Sequence, residues 1–113
     1  MANDKTGAPT SVTAGSGKYD IAVKDSVVGH AFFADRGDQR IFYHTEVDDE
    51  FSGRGLATIL IEQALSSTRE HGKRIVAVCP TVAKVLEKHP EFREVSDPVT
   101  PETKQWVQGS SGG

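Results

Sequence analysis

Midway along the chain the apolar residues change their spacing, and that change limits the folds open to it. Up to the acidic stretch Asp48-Asp49-Glu50 they come in short runs rich in β-branched and aromatic residues. Tyr19-Asp20-Ile21-Ala22-Val23 alternates apolar and polar, Val27 to Ala34 follows the turn residues Lys24-Asp25-Ser26, and Arg40 to Val47 follows Gly37-Asp38. Runs of this kind, separated by two or three turn residues, predict an antiparallel meander. After the acidic stretch Leu56, Ile59, Leu60, Ala64 and Leu65 recur at three- and four-residue spacing, with Ile61 widening the stripe and Glu62, Gln63, Arg69 and Glu70 largely outside it. That spacing predicts one amphipathic helix from Gly55 to about His71, stopped by Gly72. Arg74 to Val78 is a short, nearly all-apolar run, as expected of a covered strand. Pro80 opens a second helix, Thr81 to about His89, and Pro90 closes it. Strands, helix, strand, helix is the order of an α+β fold: a mostly antiparallel mixed sheet packed with two main helices.

The two ends lack this patterning. Residues 1–17 are rich in Gly, Ser, Thr, Ala and Pro and read as a flexible arm; residues 97–113 read as a second one, with Trp106 and Val107 as apolar exceptions. The expected domain is therefore 18–96. With a formal net charge of −3 the chain offers no basic face for nucleic acid. No apolar run approaches membrane-spanning length, and Met1 to Lys5 lack the layout of a secretory signal. Cys79 is the single cysteine, so no internal disulfide forms, and a reduced, cytoplasmic setting is expected. The protein is expected to be a monomer or weak dimer.

Gly53-Arg54-Gly55 stands where the last strand of the meander gives way to the helix. Glycine lets backbone amides approach a ligand without a Cβ in the way. The helix's first turn adds unpaired N–H groups and the positive end of its dipole. Together they suit a pyrophosphate, with Arg54 adding a charge-assisted contact. The plainer alternative is a tight turn whose glycines serve geometry alone, and a bare G-x-G does not separate the two. Cys79 closes the later strand just before Pro80. A thiol at a helix N-cap feels unpaired N–H groups that favour the thiolate; the alternative is a small buried hydrophobe. His44 and Glu46, at i and i+2, share one strand face and are candidate general bases, or else a solvated surface. His30 and His71 read as surface residues.

The segment from Val47 through Ser52-Gly53-Arg54-Gly55-Leu56-Ala57 to Leu60 resembles the coenzyme A signature of the GNAT N-acetyltransferase superfamily. With His44-Thr45-Glu46-Val47 before it and Cys79-Pro80 and His89-Pro90-Glu91-Phe92 after it, residues 19–95 resemble a compact single-domain branch of that superfamily. The resemblance implies a sheet splayed where acetyl-coenzyme A enters, as cosubstrate and with no metal. It implies contacts from Val47, Ser52, Gly53, Arg54, Gly55, Leu56, Ala57 and Pro80, and transfer of acetyl to a small-molecule or protein amine. Within that branch the cysteine at Cys79 is proposed to be catalytic, and members of the superfamily often place a glutamate on the strand of Glu46. Two routes follow: Cys79 takes the acetyl group as a thioester, or an amine attacks acetyl-coenzyme A directly while His44 or Glu46 removes its proton.

Departures from the pattern are clear. Glu50 holds the usual Gln/Arg place, and a carboxylate cannot donate to phosphate, so backbone amides and Arg54 would carry that contact. The helix tyrosine that protonates the departing thiolate in many members is missing, with Glu87 at its place. Thr81 and Val85 replace frequent aromatics, which suggests a more open pocket. Lys84 and Lys88 read as a solvated face. Two other functions are compatible with the residues: a non-catalytic acyl-coenzyme A binding module, and a redox sensor reporting through Cys79.

Overall fold

A computed structural model describes residues 2–3, 9–48 and 55–110. Seven strands among them form one sheet in sequential order. β1 (Ala2–Asn3), β2 (Pro9–Gly15), β3 (Lys18–Val23), β4 (Ser26–Arg36) and β5 (Gln39–Val47) make an antiparallel meander. Helix α1 (Leu56–Glu70) then crosses back, and β6 (Arg74–Ala77) lies parallel to β5. Helix α2 (Pro80–Glu87) and a 3-10 turn (Pro90–Val95) lead to β7 (Ser96–Asp97), parallel to β6, and helix α3 (Pro101–Ser110) ends the described chain. The architecture is α+β with a mostly antiparallel mixed sheet, as the change of period predicts.

One face of the sheet carries the main core. Tyr19 and Ile21 of β3, Phe33 of β4 and Phe42 of β5 meet Leu56, Leu60 and Leu65 of α1 and Val82 of α2. The helix stripe matches the sequence pattern, with Ile59 partly buried and Thr68 added at its end, where its hydroxyl donates to the Ala64 carbonyl at 2.8 Å. At the start of β5 the buried Tyr19 hydroxyl donates to Ser67 (3.1 Å) and accepts from Arg40 (2.6 Å), whose guanidinium also grips Asp35 at 2.9 and 3.1 Å. That hydrogen bond to Arg40 holds the Asp35 carboxyl below its ordinary value.

Both stretches expected to be flexible arms contain regular structure. β2 pairs with β3 from Thr10 to Gly15, Val12 opposite Ile21, and Thr10 is buried. A strand near the end of a sheet is stabilised largely by backbone bonds to its neighbours, so it needs few apolar residues, and apolar periodicity does not mark it. α3 is announced by its cap instead. The Thr100 hydroxyl accepts the Thr103 amide at 3.2 Å and Pro101 takes the first helical position, where its missing N–H costs nothing. Val107 is buried against Ile41 and Val76, with Trp106 beside it, on the sheet face turned away from α1 and α2.

Two irregularities shape the end of β5. In the β4–β5 ladder Phe32 pairs with His44 and Phe33 with Phe42, which leaves Tyr43 as an extra residue, a β-bulge. The pairing of β5 with β6 runs only from Gln39 to Phe42. There the Phe42 carbonyl accepts both the Val78 amide (3.0 Å) and the Cys79 amide (2.9 Å), and the chain turns off into α2. Beyond Phe42 the sheet is split.

Candidate active site at the split between two parallel strands

α1 and α2 both begin beyond the carboxyl ends of the parallel strands β5 and β6, where ligands collect in open sheets. Gly55 caps α1 in the left-handed region (φ 77°), its carbonyl accepting the Ile59 amide at 3.1 Å. A residue with a Cβ is strained there. Among the described residues no side chain caps this end and no acidic residue lies in the first turn, so no described carboxylate competes for the first-turn amides. The end therefore fits a phosphate-bearing group. Of the expected coenzyme contacts, Val47 closes β5 and packs on the core, Leu56 is buried in it, Ala57 is partly buried and Pro80 is exposed at the start of α2. Ser52, Gly53 and Arg54 lie outside the described residues, as does Glu50.

Cys79 is the N-cap of α2, in extended conformation (φ −70°, ψ 125°) with Pro80 following. Its side chain is 5% exposed, and its sulfur lies 3.5 Å from Thr45 Oγ1 across the split. Burial pushes the thiol's pKa up. The Thr45 hydroxyl, the amides of Val82 and Thr81 and the Thr81 hydroxyl outweigh burial and leave it below the ordinary value.

His44 and Glu46 share a face as expected, His44 Nε2 lying 3.5 Å from Glu46 Oε2, both more than half exposed. It is not the face of Cys79. The Tyr43 bulge reverses the alternation along β5, so Thr45 points to the sulfur while its two neighbours point away. Thr45 and Thr81 are the site residues that motif reading passes over. Thr81 had a signal, since a side chain two positions past an N-cap lies within reach of the cap. Thr45 had none, because its direction depends on a register set by β4. On α2 the end residue Glu87, together with Lys84 and Lys88, is exposed, while Val85 is buried in the core. Val85 therefore does not widen a pocket. His71 is exposed, while His30 is half-buried against Asp20 (2.6 Å). A groove of about 550 Å³ beside Arg36, Gln39 and Glu102 lies at the other end of β5; Arg36 and Glu102 pair within it at 2.7 Å.

The family model described as GCN5-related N-acetyl-transferase matches residues 18–95. The chain belongs to this family. By that membership it is an N-acetyltransferase, and its acceptors bear an amine. In fold it is similar to a GCN5-like protein from Staphylococcus aureus solved by NMR (22% identity, 80% of this chain and 91% of that one, TM-score 0.60). An aminoglycoside acetyltransferase from an uncultured soil metagenomic sample, crystallised with sisomicin, is a more distant likeness (13% identity, 74% and 60% coverage, TM-score 0.48). Among curated proteins no sequence match is found. α3 lies beyond the matched segment. Among the described residues no helix is long and apolar enough to cross a membrane, and no group of three His, Cys, Asp or Glu side chains is placed to hold a metal.

Proposed function

We propose that this acetyltransferase takes its acetyl group from acetyl-coenzyme A and passes it to an amine through Cys79. The observation that carries the reading is the position of Cys79: N-cap of α2, hydrogen-bonded to Thr45, at the point where β6 leaves β5. The N-terminus of α1 would hold the coenzyme's pyrophosphate by backbone amides, with Ser52, Gly53 and Arg54 as further contacts. Bound there, the coenzyme supplies an activated acyl thioester. Cys79 enters as thiolate, favoured by Thr45, Thr81 and the first-turn amides of α2, and forms the new S–C bond; coenzyme A leaves with the old one. The acceptor amine, relieved of a proton by the His44–Glu46 pair, then attacks the acetyl carbon, and Sγ departs as thiolate. A thiolate stabilised at a helix N-cap is a good leaving group in this second step, while coenzyme A, with no tyrosine beside it on α2, leaves as its thiolate in the first.

The test is intact-mass measurement after mixing the protein with acetyl-coenzyme A and no acceptor. An acetyl adduct in the wild type and none in Cys79→Ala is the expected result. Turnover by Cys79→Ala at the wild-type rate would replace the covalent route with direct attack. Failure of acetyl-coenzyme A to raise the melting temperature would remove the coenzyme from the scheme.

A further inference from the structure

The Tyr43 bulge does more than turn Thr45 toward the sulfur. It sets two successive side chains, Tyr43 and His44, on the sheet face away from α1 and α2. There they meet Phe32, with ring centroids 6.4 and 5.7 Å apart, and His30 lies 5.7 Å from Phe32 on the other side. Tyr43 also packs on the small core under α3. The result is a band of rings running from α3 across β5 and β4, next to the part of β5 that, among the described residues, has no strand partner on its β6 side beyond Phe42. Phe32 and Tyr43 are only partly buried, and His44 and Glu46 are 56% and 55% exposed.

The charges around this band are uneven. Asp20 is answered by His30 at 2.6 Å and Lys18 at 3.7 Å, and Arg36 by Glu102 at 2.7 Å and the Trp106 ring at 5.6 Å. Glu46 has no lysine or arginine partner among the described residues; its ion-pair contact is His44. A ring face bordered by a carboxylate that no described lysine or arginine neutralises is complementary to an ammonium group on an alkyl chain. The methylenes cover the ring, the quadrupole attracts the charge, and the carboxylate completes it. A carboxylate on the same chain would meet Glu46 at like charge, and a hydroxyl would forgo both attractions.

We propose that the band formed by Phe32, Tyr43 and His44, with Glu46 at its rim, is the acceptor platform, and that the acceptor is an aliphatic primary ammonium. Donor and acceptor then approach from opposite faces of the sheet and meet at the free edge of β5. The proposal rests on the reading above for what the amine attacks, but the binding it describes is separable from that reaction.

The experiment titrates the full-length protein with pentylamine, 1-pentanol and pentanoate, three probes of one chain length, while following assigned ring and backbone resonances. Pentylamine should move the signals of Phe32, Tyr43 and His44. Its affinity should fall about threefold to tenfold in Glu46→Gln and in Phe32→Leu, as the loss of one exposed cation–π or ionic contact implies. 1-Pentanol and pentanoate should leave these signals unmoved. Glu46 is exposed, so its variant folds even if Phe32→Leu does not. Pentylamine shifts confined to another face, equal binding by Glu46→Gln, or equal binding of 1-pentanol would overturn the platform. Acetyl-coenzyme A is titrated separately. If it fails to bind, the coenzyme reading falls and the amine result stands; if it binds while pentylamine does not, only the platform falls.

Discussion

Replacing Thr45 by valine removes one hydroxyl and keeps the shape of the side chain, so it isolates the 3.5 Å contact with Cys79 Sγ. The contact matters more to the thiolate than to the thiol, because the charged sulfur is the stronger acceptor. A hydrogen bond of this kind is worth about 0.5–1.5 kcal/mol, and the geometry here is at the long end. A loss of about 1 kcal/mol lowers the thiolate fraction at neutral pH about fivefold, since about 1.4 kcal/mol is tenfold. Cys79 is the only cysteine in the chain, so the rate of iodoacetamide labelling reads it without ambiguity. The pH–rate profile of Thr45→Val should move to higher pH, with labelling near pH 7 slowed about twofold to tenfold, and Thr45→Ser should restore it. Melting temperature serves as the control, because a packing role would change stability and leave the profile in place. An unchanged profile in a variant that melts like the wild type would refute the argument that Thr45 governs the sulfur.

Three further substitutions probe the frame around the site. A Cβ on Gly29 would lie 2.9 Å from both the Glu46 carbonyl oxygen and Ile21 Cγ2; Gly29→Ala should cost about 1–3 kcal/mol in urea unfolding, with the slope of the transition unchanged. Val107→Ala should cost about 1–2 kcal/mol, the loss of two buried carbon groups, and should red-shift the emission of Trp106, which packs on the same cluster. His89 bridges Glu62 of α1 at 2.7 Å and Glu91 at 2.8 Å, with Arg69 facing the adjoining Phe92 ring at 5.2 Å. The hydrogen bond to Glu91, then the contact with Glu62, holds the imidazole's pKa above its ordinary value. The stabilisation is therefore full below the unfolded value of about 6.5 and is lost as pH rises through the raised folded value. Melting temperature should fall over that window in the wild type and less in His89→Gln; equal slopes in the two proteins would dismiss the bridge.

Much of this architecture is legible locally. Leu56, Leu60 and Leu65 mark their helix because all three must face one sheet, and Pro80 and Pro90 bracket α2 because proline opens a helix and cannot continue one. The misses have a common physical origin. Val12 of β2, which packs on the main core, is one apolar group in a polar stretch, and the backbone ladder to β3 that holds the rest of the strand leaves no side-chain pattern. α3 leaves little periodicity because it needs only Val107 and Trp106 on Ile41 and Val76, although Thr100-Pro101 states its start in capping terms.

The Tyr43 bulge is the miss that alters the chemistry. Alternation counted straight through from Phe42, which faces the helices, places His44 and Glu46 on the side of Cys79 and Thr45 on the other. One residue inserted against β4 inverts that arrangement. Thr45 then reaches the sulfur at the N-cap of α2, while His44 and Glu46 join Phe32 on the opposite face. In the proposed scheme Cys79 and the His44–Glu46 pair serve different reactants, the thiol the acetyl donor and the pair the amine. Set on opposite faces of a strand whose edge is free beyond Phe42, each meets its own partner. On that scheme the bulge and the split act together: the split gives the two faces a common edge beyond Phe42, and the bulge sets His44 and Glu46 on the second of them.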